Sequence, residues 1–133
     1  MSARANIDQR RHRLSVADFH RMGEIGVLGH EPRIELVEGQ ILDMTPIGTA
    51  HASIVDDLTR RFILGVGERA VVRSQNPIII DNMTELQPDV ALLRPPRETY
   101  RLRHPRPPDV FLLVEVADSS LRYDQHVKIP MYA

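Results

Sequence analysis

The chain has 133 residues, of which 42% are hydrophobic and 26% charged, and its formal net charge is −1. These values are typical of one globular domain with a single core. Because cysteine is absent, disulfides and thiolate metal sites are excluded, and any metal site must use oxygen or nitrogen ligands. No apolar run approaches the roughly 18 residues of a membrane-spanning helix, and the N-terminus has no apolar signal segment. We therefore expect a cytoplasmic protein that is not bound to a membrane.

The first half of the chain predicts two helices and a hairpin. Residues 1–13 are polar and rich in arginine, and we interpret them as a flexible arm that precedes a domain spanning 14–133. Ser15 is a typical N-cap for a short helix. The segment RIELVEGQILDM predicts a β-hairpin whose tight turn is Glu38-Gly39.

A second helix is indicated after Gly48. Its apolar residues recur every four positions, which predicts an amphipathic helix that ends near Gly65 or Gly67. The predicted apolar stripe consists of Ala50, Ile54, Leu58 and Phe62.

The second half predicts strands and a final helix. AVVRSQNPIIID reads as two strands separated at Asn76-Pro77, and PDVALLR as a strand that opens at Asp89. VFLLVEV is apolar except at Glu115, which predicts a central strand covered on both faces. A helix should begin at Ser119 or Ser120, and because the chain stops inside it we expect a fragment of a longer domain. The order predicts a mixed α/β fold in which helices flank a sheet.

The segment RPPRETYRLRHPRPP, residues 94–108, combines five arginines with five prolines and one acid, Glu98. The prolines predict an extended loop rather than a helix or a central strand. Its local charge is positive in a chain that is otherwise acidic.

Glu115 requires an explanation, because a buried carboxylate without a partner costs several kcal/mol. It could face water, bond to the main chain or an arginine, or bind a metal ion. A shared ion needs a second carboxylate within about 4 Å of it. Asp109 opens the same strand six residues earlier, roughly 20 Å away, whereas Asp89 opens a different strand, and neighbouring strands lie about 4.8 Å apart. Geometry therefore selects Asp89 as the partner.

These residues carry a resemblance. Pro88-Asp89, Glu115-Val116-Ala117, Asp124 and Lys128 resemble the PD-(D/E)xK nuclease superfamily. RIELVEGQI, AHASIV, QPDVALL and LLVEVADSSLRYDQHVKIPMYA are similar to the bacterial Uma-type restriction-endonuclease family, from about residue 14 to the end. The resemblance implies a restriction-endonuclease-like fold, a divalent metal (Mg²⁺ or Mn²⁺) and hydrolysis of phosphodiester bonds in DNA.

The resemblance also implies roles for individual residues. Asp89 and Glu115 would bind the metal, with the main-chain carbonyl of Val116 as a third ligand. The superfamily's lysine lies two residues after the glutamate, where this chain has Ala117, and Lys128 on the next helix would replace it. Lys128 is the only lysine among 17 basic residues.

Further residues are supporting candidates. Glu35 matches the family's N-terminal acid, and Asp124 lies four residues before Lys128, on the same helix face. His51, near a helix start, is a weaker candidate. A non-catalytic module that keeps the fold to bind nucleic acid or protein is the alternative function.

DNA is the expected partner, and a homodimer is a further expectation. We expect the arginine-rich loop to contact DNA phosphates, because arginine forms bidentate hydrogen bonds with them. The alternative is a solvated loop that only connects two strands. The arginines concerned are Arg94, Arg97, Arg101, Arg103 and Arg106.

Overall fold

The computed structural model describes residues 10–30 and 33–116. Within these ranges the chain forms three α-helices, seven β-strands and two single 3₁₀ turns. Their bounds are α1 Val16–Glu24, β1 Ile34–Val37, β2 Gln40–Asp43, α2 Thr49–Val66, a 3₁₀ turn at Gly67–Arg69, β3 Val71–Ser74, β4 Ile78–Asp81, β5 Thr84–Leu86, β6 Val90–Leu93, α3 Thr99–Leu102, a 3₁₀ turn at Pro107–Asp109, and β7 Val110–Val114. The predicted final helix, with Asp124 and Lys128, and most of the predicted N-terminal arm lie outside the described residues.

The strands form two antiparallel sheets. Together with the three described helices they make a mixed α/β fold, as the sequence predicted. The first sheet has the order β2-β1-β5-β4, and the second has the order β3-β6-β7. The hairpin β1–β2 turns at Glu38 and Gly39, whose φ angles of 49° and 81° are those of a tight turn with two left-handed residues. Gly39 is required there for a second reason, since a Cβ on it would lie 2.6 Å from Cβ of Arg13.

Helix α1 covers one face of the first sheet. Ser15 caps it, as predicted, because the Ser15 hydroxyl accepts the Asp18 N–H and the Asp18 carboxylate accepts the Ser15 N–H. Phe19 of α1 packs with Ile34 and Leu36 of β1. Since side chains alternate along a strand, Glu35 lies on the opposite face of this sheet.

The second sheet lies between α2 and β4. On one face, Val90 and Val114 pack against α2, and on the other, Ala91 and Leu93 pack against Ile78 of β4. Apolar groups on both faces of the described part of this sheet therefore bury its middle strand, β6.

The buried face of α2 differs from the prediction. Val55 is buried with Leu58 and Phe62 beside it, whereas Ile54 is 46% exposed. A spacing of four residues advances about 40° around a helix at each step, because one turn takes 3.6 residues. The predicted row of residues therefore turns away from the sheet towards the N-terminus of α2. There His51 and Val55 face the sheet, instead of Ala50 and Ile54.

Three other expectations also need correction. Among the described residues β7 pairs only with β6, so β6 is the central strand, and Phe111 of β7 is 50% exposed. The arginine-rich segment is not extended throughout, because its proline-free middle forms α3 and Pro107 begins a 3₁₀ turn, where its fixed φ is favourable. The short strand β5 was not predicted from the sequence.

Candidate functional site

Asp89 occupies a buried position at the start of β6. Its exposed fraction is 5%, and both carboxylate oxygens have hydrogen-bond partners. Oδ2 accepts the main-chain N–H of Val116 at 2.7 Å, and Oδ1 lies 2.9 Å from Nε2 of His51. His51 reaches Asp89 from the first turns of α2, on the helix face that also buries Val55. A strand end and a helix thus hold this carboxylate in one orientation.

Glu115 directly follows β7, and Asp89 directly precedes β6. The register of β6 and β7 pairs Val90 with Val114, and continuing it by one residue sets Asp89 opposite Glu115. Residues that face each other in antiparallel strands have Cα atoms about 4.5–5.5 Å apart. Glu115 is partly buried and engaged with other groups. The extended register therefore places the main chain of Glu115 near that of Asp89, and the approach of their two carboxylates stays a prediction.

Glu35 approaches the same region from the first sheet. It is 5% exposed, and its Oε2 accepts the main-chain N–H of Gln87 at 2.8 Å. Gln87 precedes Asp89 by two residues, so the carboxylate of Glu35 is tied to the segment that leads into β6. The carboxylate of Glu35 is thus buried against the segment that leads to Asp89, rather than exposed on the hairpin.

The donor set around Asp89 fits a hard divalent cation. A carboxylate oxygen has two lone pairs, so one hydrogen bond on each leaves Oδ1 and Oδ2 a further acceptor position. Mg²⁺ is typically bound by one or two carboxylates together with waters and substrate phosphate. The N–H contact also places the main chain of Val116 beside Asp89, where a carbonyl ligand would be needed.

The arginine-rich segment is at the other end of the second sheet. Arg94 directly follows β6, whose first residue follows Asp89, so the two are separated by roughly the length of that strand. Arg103 forms a bidentate ion pair with Asp109, at 2.6 and 3.1 Å. These hydrogen bonds are the main cause of a lowered pKa of Asp109, and they raise the pKa of Arg103.

The remaining arginines of the segment differ in their surroundings. Arg94 lies over the ring of Phe111, with its guanidinium carbon 5.2 Å from the ring centre. Arg97, Arg101 and Arg106 have exposed side chains. The segment therefore offers solvent-facing cations, while Arg103 is engaged in holding Asp109.

Sequence reasoning missed a different cluster. Ligand atoms of His20, Glu85 and His104 all lie within 4.8 Å of one another, and in the described part of the chain no other group of three or more histidines and acids does so. Sequence spacing suggested no such site, because the three residues come from α1, β5 and the segment before the Pro107 turn. Only the folded chain brings them together.

The mixed α/β fold, with two antiparallel sheets and three helices in the described residues, is consistent with a restriction-endonuclease-like domain. The model of the Uma2 family, described as "Putative restriction endonuclease", matches residues 16–133. The chain belongs to this family. No curated protein shows a significant match to it. None of the helices within residues 10–30 and 33–116 has the length and apolar character needed to cross a membrane.

Proposed function

We propose that this nuclease-type domain is a Mg²⁺- or Mn²⁺-dependent endonuclease that hydrolyses phosphodiester bonds in DNA. The observation that supports it best is the buried carboxylate of Asp89, fixed by Val116 and His51 directly beside the Glu115 strand end. A buried carboxylate needs hydrogen-bond partners in any role, and partners that fix its orientation also suit a metal ligand, which has to be held in one geometry.

Asp89, Glu115 and the carbonyl of Val116 would hold the ion. When bound, the metal supplies a water of lowered pKa and stabilises charge on the phosphate. His51 acts as a positioning residue, because it orients Asp89 through Oδ1. Glu35 fixes the segment before Asp89 through the N–H of Gln87.

Lys128 and Asp124 complete the proposed site. Lys128 would hold the attacking water or the scissile phosphate with its ammonium group, since a protonated lysine donates but cannot ligate a cation. Asp124, four residues earlier in sequence, would orient Lys128.

One feature favours a second candidate function. Ala117 occupies the position at which the superfamily carries its lysine. A domain without a working lysine would keep the fold and bind nucleic acid or protein without cleaving it. A cleavage assay distinguishes these two functions.

The assay follows nicking of supercoiled plasmid with Mg²⁺ or Mn²⁺. We expect Asp89→Asn and Glu115→Gln to reduce the rate at least about a hundredfold, because mutation of residues that merely support metal ligands already costs 10- to 100-fold. Asp56→Asn, which changes an exposed acid on α2, is the matched control and should cleave like the unmodified protein. DNA binding without cleavage with either metal would favour the second function. Normal cleavage by Asp89→Asn would place the active site elsewhere.

A further inference from the structure

A second constellation of metal-ligand residues lies on the other side of the first sheet. His20 is on α1, Glu85 on β5, and His104 lies between α3 and the Pro107 turn. Nε2 of His20 is 2.5 Å from Oε1 of Glu85, and the two imidazole rings are 5.8 Å apart with an edge-on geometry. Three separate elements therefore direct their side chains to one point.

Strand alternation separates this cluster from the Asp89 site. Glu85 pairs with Leu36 on one side and with Ile79 on the other, so its side chain shares their face, which α1 covers. Glu35 is on the opposite face of β1. The two buried glutamates of this sheet thus belong to different sites.

Glu85 is a buried carboxylate whose Oε1 contacts Nε2 of His20. Its exposed fraction is 5%, and isolated carboxylates are strongly disfavoured at such positions. A neutral imidazole is the form that ligates a metal. A cation bound by both imidazoles and this carboxylate would neutralise the buried charge.

The separation of the ligand atoms suits such a cation after small adjustments. The three ligand atoms lie within 4.8 Å of one another, and zinc bonds to nitrogen and carboxylate oxygen are about 2.0–2.2 Å long. Two ligands of a tetrahedral zinc are then about 3.4 Å apart, so Nε2 of His20 and Oε1 of Glu85, which are 2.5 Å apart, would separate by about 0.9 Å. Side-chain movements below about 1 Å would complete the coordination.

The cluster also opens into a pocket. A cavity of about 440 Å³ is lined by all three residues and by Phe19, Glu24 and Gln87. Three protein ligands beside open space leave a fourth coordination position for water or a ligand. Glu24 is four residues after His20 on α1, so it borders this position from the same helix face.

We propose that His20, Glu85 and His104 form a binding site for Zn²⁺, separate from the proposed magnesium site at Asp89. Two imidazoles and one carboxylate are ligands typical of Zn²⁺, whereas Mg²⁺ prefers oxygen ligands alone. The ion would also link α1 to β5 and to the segment before β7, because one ligand comes from each. This inference does not depend on nuclease activity.

The test is a titration of the chelator-treated, untagged protein with Zn²⁺, followed by calorimetry. We expect one equivalent to bind, and His20→Ala, Glu85→Gln and His104→Ala each to weaken binding at least tenfold. His30→Ala removes an exposed histidine and should leave the affinity unchanged. Asp89→Asn should also retain Zn²⁺ binding, so failure of this site and failure of the nuclease proposal are distinguishable.

A second measurement uses only the unmodified protein, in case a variant does not fold. The ring-nitrogen NMR signals of His20 and His104 should shift together at one equivalent of Zn²⁺, while those of His30 and His51 should not. Absence of one-equivalent binding would overturn the proposal. So would binding that leaves the signals of His20 and His104 unchanged.

Discussion

The main-chain N–H of Val116 donates a hydrogen bond to Oδ2 of Asp89 across 2.7 Å, between residues 27 positions apart in the chain. This bond joins the start of β6 to the residue that follows Glu115. Asp89 therefore also fixes the position of the main chain next to Glu115.

The first prediction concerns metal and stability. Mg²⁺ should raise the melting temperature, because a ligand that binds only the folded state adds about 2.7 kcal/mol at a hundred times its Kd. Glu115→Gln should abolish this shift, while the metal-free variant stays as stable as the unmodified protein or becomes slightly more stable, since one of two neighbouring charges is removed. Differential scanning fluorimetry measures both. An undiminished Mg²⁺ shift in the variant would mean that the ion binds elsewhere.

Lys128 should matter for chemistry but not for metal binding. We expect Lys128→Ala to reduce plasmid cleavage strongly and to keep the Mg²⁺-induced rise in melting temperature, because a protonated lysine is not a ligand. Lys128→Arg keeps the charge but not the compact ammonium group, and it should restore little activity. Cleavage by Lys128→Ala at the normal rate would assign this residue to the surface.

The exposed arginines of the segment 94–108 can be tested by salt dependence. Changing Arg97 and Arg101 together to glutamine should flatten the slope of log K for DNA binding against log salt by roughly two units, if both contact phosphates. Arg10 and Arg11, which are also exposed, provide a matched double variant in the N-terminal segment. An effect confined to that second variant would transfer the phosphate contacts to the N-terminus.

Arg103 should act on stability through Asp109. In the folded protein the pKa of Asp109 is lowered from its ordinary 3.8, chiefly by the hydrogen bonds from Arg103. A lowered carboxyl pKa gives stabilisation that is complete above about pH 3.8 and is lost as pH falls through the folded-state value. Arg103→Gln should therefore lower the melting temperature by a few degrees at pH 7.

The difference between Arg103→Gln and the unmodified protein should disappear in strong acid, where Asp109 is protonated in both. Thermal unfolding followed by circular dichroism from pH 7 downwards measures this. A constant difference at every pH would mean that Arg103 stabilises the segment by packing, not through the Asp109 charge.

Local signals in the sequence predicted the elements that depend on neighbouring residues. The Ser15 cap and the Glu38-Gly39 turn each follow from the chemistry of one or two positions. The choice of Asp89 over Asp109 as the partner of Glu115 came from strand spacing, and β6 and β7, which these two residues flank, are neighbours in the second sheet.

Other features depend on distant parts of the chain. His20 and Glu85 are 65 residues apart, and no periodic pattern relates them. The ion pair of Arg103 with Asp109 was not predicted, because it depends on the turn that Pro107 begins. To predict that His51 is buried beside Asp89, one would have needed the angle at which α2 crosses the second sheet.

The alternation along β5 has a consequence for how this chain tolerates changes in length. Glu85 faces α1, and Gln87, two residues later, holds Glu35 through its N–H just before Asp89. Deleting or inserting a single residue in this short strand would turn Glu85 to the opposite face and displace Asp89 from His51 and Val116. Both candidate metal sites would then be lost through one indel, although neither site's own residues had changed. We expect the stretch from Thr84 to Asp89 to keep a fixed length among functional relatives, while segments such as 94–108 can lengthen or shorten.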